Sequence, residues 1–162
     1  MSTAFICGNI AEDSNNLLHS SEFAQVVRSI VLKNGIDRVF ITKRNNFDLR
    51  IYVSLLTNTE TKKVEIIELA DTNKLNIVYY GRRDSGLRFK TICPFEHEVE
   101  NKFLYRKLYD YAIENSDYML TFIDFDDDIS TYIAQEAEKR GVKVLNLADC
   151  FAKSIFGYMQ KE

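Results

Sequence analysis

At 162 residues, with 46% hydrophobic and 28% charged residues, the chain has the length of one domain that can bury a core without disulfides or metal. A formal net charge of −3 supplies no basic field, which argues against duplex nucleic acid as a partner. Three cysteines without CxxC spacing (Cys7, Cys93, Cys150) read as reduced thiols and not as a disulfide frame or zinc site; with no charged leader and no span-length apolar run, the expectation is a cytoplasmic protein that does not cross a membrane.

Residues 3–8 (TAFICG) are short, apolar and closed by Gly8, the pattern of a buried central strand. Ser20 or Ser21 then caps a predicted helix in which Phe23, Val26, Val27, Ile30 and Val31 recur at helical spacing, with Gly35 at its C-cap. Residues 38–42 (RVFIT) form the next predicted strand, ending in Lys43-Arg44-Asn45-Asn46. Residues 47–74 carry two patterns. Phe47, Leu49, Ile51, Val53 and Leu55 alternate as in a strand, yet Ile51, Leu55 and Leu56 share a helical face. Thr57 and Glu60 have the spacing of a capping box, so two helices are expected here, the second reaching about Ala70, with a β-hairpin as the alternative.

Residues 75–80 (LNIVYY) read as a strand, residues 81–90 as a loop carrying Arg82, Arg83 and Arg88, and residues 91–93 as a short extended piece before Pro94. Val99, Phe103, Leu104, Leu108, Ala112 and Ile113 give an amphipathic helix over 97–115, its stripe widened by Tyr105, Tyr109 and Tyr111. Residues 118–123 and 142–147 are predicted strands separated by a helix ending at Gly141, and residues 148–158 a closing helix. One proline, six glycines and no repeat point to a single unit over 1–162. The order is that of an α/β, three-layer Rossmann-like domain, with a mainly parallel sheet of about five strands and helices on both faces. In such sheets the loops leaving the strand C-termini form the ligand crevice.

Several residues fall where that crevice would lie. Gly8 and Asn9 follow the first strand. Lys43, Arg44, Arg82 and Arg83 follow other predicted strands and together would neutralise a phosphorylated ligand, or else are solvated loop charges. Tyr80 would stack on a base, since only one of Tyr79 and Tyr80 faces outward. Glu96 would accept ribose hydroxyls, act as a carboxylate nucleophile, or simply stabilise a helix N-terminus. Ser130 and Thr131 would hold a phosphate or ribose, or cap their helix. Asp124-x-Asp126-x-Asp128 fails as a calcium loop, because Ile129 and Gln135 stand where glycine and glutamate are needed. His97-Glu98 lacks the second histidine of a zinc hydrolase, with Asn101 in its place.

Gly8 after the first strand, Phe47-Asp48 in a polar turn, Pro94-Phe95-Glu96, Ser116-Asp117 before an apolar strand and Ser130-Thr131 opening a helix together resemble the SLOG superfamily over most of the chain. Those Rossmann-like domains include the cytokinin-activating LOG hydrolases, DNA-processing protein A and stand-alone nucleotide sensors. The resemblance adds Asp48 to the candidate site and implies a nucleotide-like small molecule as partner. It also has a conspicuous gap. LOG hydrolases carry Gly-Gly-x-Gly-Thr-x-x-Glu, whereas Asp127-Asp128-Ile129-Ser130-Thr131-Tyr132-Ile133-Ala134 stands here. Ala134 in the glutamate's place disfavours that hydrolysis but not binding. The expected function is therefore sensing or sequestering a nucleotide-derived ligand, without metal or cofactor. An N-glycosidic enzyme using Glu96 (or Glu98) and a homodimeric interaction module built on helix 97–115 are the alternatives.

Overall fold

Apolar runs bounded by turn residues become strands, and runs with a 3.6-residue apolar period become helices. The computed structural model describes residues 2–8, 21–42, 46–69, 88–92, 94, 101–123 and 128–150. Along the chain these form β1 (Ser2–Ile6), α1 (Ser21–Lys33), β2 (Ile36–Ile41), α2 (Asn46–Leu56), β3 (Glu65–Leu69), β4 (Arg88–Ile92), α3 (Asn101–Glu114), β5 (Tyr118–Thr121), α4 (Asp128–Lys139) and β6 (Lys143–Asn146). Residues 147–150 add a helical turn.

The described strands form one six-stranded sheet in the order β4-β3-β2-β1-β5-β6, and every neighbouring pair is parallel. The chain builds outward from β1 to β4 on one side, then crosses to lay β5 and β6 on the other. The strand order thus reverses between β1 and β5, and this is where open parallel sheets leave a crevice beyond their carboxyl ends.

Alternation along the strands divides the interior in two. Ala4, Ile6, Val39, Ile41, Ile66 and Leu120 pack with Phe23, Val27 and Val31 of α1 and with Phe47, Ile51 and Leu55 of α2. Phe5, Cys7, Phe40, Ile67, Leu69 and Met119 pack with Leu104, Leu108 and Ala112 of α3 and with Ile133, Ala134 and Ala137 of α4. The result is a three-layer α/β Rossmann-like architecture. Two helix ends turn on glycines with φ of 62° and 85°, Gly35 and Gly141. After α4, Val142 N–H bonds the Ala137 carbonyl at 2.9 Å and Gly141 N–H the Glu138 carbonyl at 3.1 Å, the paired closure that an αL glycine permits.

Three expectations need correcting. Thr57 ends α2, its N–H donating to the Val53 carbonyl at 3.1 Å, and does not begin a second helix. Glu60 N–H bonds Asn58 Oδ1 at 2.8 Å, and the fully buried Thr61 hydroxyl bonds the Leu55 carbonyl at 2.7 Å. Local side-chain hydrogen bonds, one accepted by Asn58 and one donated by Thr61, thereby compete away the capping box. Residues 65–69, expected to be helical, pair with β2 as β3 and bury Ile66, Ile67 and Leu69. Arg88, assigned to a loop, opens β4. The strand expected over 75–80 and the helix beyond residue 150 lie outside the described residues. No helix among the described residues is long and apolar enough to cross a membrane.

Candidate functional site

The sheet ladder continues one residue past β1, because Cys7 N–H bonds the Leu120 carbonyl at 3.1 Å. With Ile6 opposite Leu120, Cys7 comes opposite Thr121, the last residue of β5. Both fall on the sheet face covered by α3 and α4. Ser130, in the first turn of α4, brings its Oγ to 4.0 Å from Cys7 Sγ, a long contact even for sulfur. From the neighbouring strand, Thr42 directs its N–H and its hydroxyl to Asp48 Oδ2 at 3.0 and 3.2 Å, tying the end of β2 to the first turn of α2. Six polar or polarisable side chains thus lie at the carboxyl ends of β1, β2 and β5 or on the helices that cover them. Their exposures are 2% for Cys7, 8% for Thr42, 1% for Asp48, 6% for Tyr109, 0% for Thr121 and 4% for Ser130.

Tyr109 ties the two strands together from α3. Burial pushes its hydroxyl well above the ordinary tyrosine range, and the charges of Cys7 and Asp48 push it the same way. Its hydrogen bond with Cys7 also raises it, while the one with Thr42 works in the opposite sense. Tyr109 therefore stays a neutral phenol at physiological pH. Cys7, Tyr109, Thr42 and Asp48 form a continuous hydrogen-bonded and electrostatic group under the strand tips, with Ser130 against the Cys7 sulfur.

The opposite face of the same strand ends is aromatic. The Phe47 ring stacks edge-on against Phe23 at 6.2 Å and Phe122 at 6.5 Å. A Cβ placed on Gly8 would come within 2.6 Å of the Phe47 ring and 3.1 Å of the Phe122 nitrogen. The absent side chain at Gly8 makes room for a phenylalanine. Among the described residues the strand tips are thus polar on the α3 and α4 side and, apart from Asp48 of α2 bound to Thr42, apolar on the α1 and α2 side.

Of the residues chosen from sequence, Gly8, Asp48, Ser130 and Thr131 gather at this sheet edge, with Asp48 turned inward onto Thr42. Asn9, Lys43, Arg44, Tyr80, Arg82 and Glu96 lie outside the described residues. Cys7, Thr42, Tyr109 and Thr121 were not chosen, although a cysteine or threonine ending an apolar strand carries the relevant signal. Asn146 was also missed. Its Oδ1 accepts from Ile123 N–H at 3.0 Å and Ala148 N–H at 3.1 Å, and its Nδ2 donates to the Ile123 carbonyl at 2.8 Å. One side chain at the tip of β6 thereby holds the exit of β5 at Ile123. No group of three or more metal-binding side chains occurs among the described residues.

No known protein family matches the chain, and no curated protein matches it significantly.

Proposed function

We propose that this protein binds a nucleotide-derived small molecule at the carboxyl ends of its parallel strands, across the reversal between β1 and β5. The observation that carries this reading is the gathering of nearly buried polar side chains at that reversal. Polar groups are expensive to bury, and a fold retains a cluster of them where recognition needs them. The α4 N-terminus adds Ser130 and Thr131 with backbone donors beside them, and the resemblance to SLOG domains supplies the ligand class.

Binding without LOG-type hydrolysis is the favoured form. Ala134 stands where those hydrolases place their glutamate, and it is packed with Ile133 and Ala137 in the core beneath α4. The test is a thermal-shift panel of nucleosides, nucleoside mono-, di- and triphosphates and cyclic nucleotides, run alongside chromatography for released base. A rise in melting temperature with one ligand class and no released base is expected. A panel that leaves the melting temperature unmoved overturns the proposal, and base release converts it into an enzyme.

A further inference from the structure

One polar atom at the strand tips has an unfilled hydrogen bond. The Thr121 hydroxyl is wholly buried, and it has no partner among the described residues. Valine has the same shape without the unsatisfied oxygen, so packing alone gives no reason for threonine here. The hydroxyl lies on the last residue of β5, level with Cys7 across the reversal and on the same sheet face. Ser130, whose Oγ approaches Cys7 at 4.0 Å, reaches that face from α4. A partner brought by a ligand would complete the set.

The chemistry of the surrounding groups narrows what that partner is. Threonine, serine and tyrosine hydroxyls each donate and accept, as sugar hydroxyls do, whereas a fully ionised phosphate only accepts. The Asp48 carboxylate, bound to Thr42, lies close enough to act on the Tyr109 hydroxyl and disfavours a second anion. The N-terminal amides of α4 pull the other way and would favour phosphate. Because the Thr121 hydroxyl is closed to water, a ligand reaches it only by parting the side chains above it.

We infer that Thr121, Ser130 and Cys7 form the subsite for the uncharged, hydroxyl-bearing ring of the ligand, the pentose of a nucleoside, and that any phosphate is held elsewhere along the crevice. This inference rests on the nucleotide-ligand reading above.

The experiment is a titration of the isotopically labelled full chain with adenosine, uridine, their 5′-monophosphates and inorganic phosphate, followed by amide NMR. Wild type is compared with Thr121→Val and Thr121→Ser. Nucleosides are expected to shift the Thr121, Ser130 and Thr131 amides, and inorganic phosphate to leave them in place. Thr121→Val, folded by its dispersed spectrum, should weaken nucleoside binding about tenfold, and Thr121→Ser should restore it. Inorganic phosphate moving these amides overturns the subsite, as does a folded Thr121→Val that binds nucleosides like wild type. Nucleosides or their monophosphates that bind while shifting other amides overturn the subsite alone. No binding of either class overturns the nucleotide reading together with it.

Discussion

At Gly8 a hydrogen stands where any other residue would put a carbon into the Phe47 ring. Glycines after a first strand usually invite a reading in terms of phosphate approach, but here the freed space is filled from within. Gly8→Ala is therefore expected to destabilise the fold by about 1–3 kcal/mol through overpacking, seen as a lower melting temperature in ligand-free protein. Tyr109 makes a different kind of contribution. Its folded form keeps its proton at a pH where the unfolded chain, with tyrosines near 10, has lost it. The native state then binds more protons, so the contribution is complete below that pH and declines as pH rises beyond it. Tyr109→Phe should flatten the alkaline limb of a stability–pH profile measured by denaturant titration. A shallower slope should remain, because burial also raises Tyr52.

At the scale of elements, the segment after α2 shows how a local signal loses to its neighbours. Thr57 and Glu60 have capping-box spacing, but Asn58 offers Glu60 N–H a closer acceptor and Thr61 reaches back to the Leu55 carbonyl. That leaves Glu65–Leu69 free to pair with β2. Thr61→Val, which strands the Leu55 carbonyl, should cost about 1–2 kcal/mol, read as an earlier denaturant midpoint with an unchanged slope. The α1 stripe from Phe23 to Val31 and the apolar run of β5 were legible from sequence because period and burial agree there. β3 was not, since Ile66, Ile67 and Leu69 become a strand only when β2 lies beside them. The site was legible in the same uneven way. Ser130 stood out as a polar residue at a helix start and Asp48 entered through the SLOG resemblance, whereas Thr121 and Cys7 were hidden in apolar runs whose register across β1 and β5 no local pattern reveals.

For the molecule as a whole, the reversal between β1 and β5 joins the two halves of the sheet at the proposed site. A ligand bound across that seam stabilises only the assembled protein. At a concentration one hundred times its dissociation constant it should add about 2.7 kcal/mol, or roughly 5–11 °C for a chain of this size, in the thermal-shift panel. The face covered by α1 and α2 contributes the Phe23, Phe47 and Phe122 cluster, and the opposite face contributes the hydroxyls.

The same central placement of β1 has a consequence for biosynthesis. Its partner β5 is made late: the Thr3 N–H that bonds the Asp117 carboxylate must wait for a residue 114 positions downstream. At translation rates of roughly 5–20 residues per second, that edge of β1 is unpaired for roughly 6–23 s after Thr3 is made. It bears the apolar stretch Ala4-Phe5-Ile6-Cys7, the kind of edge on which nascent chains associate wrongly. The seam that would hold the ligand in the finished protein is thus also a late one to close on the ribosome, followed by the β5–β6 ladder.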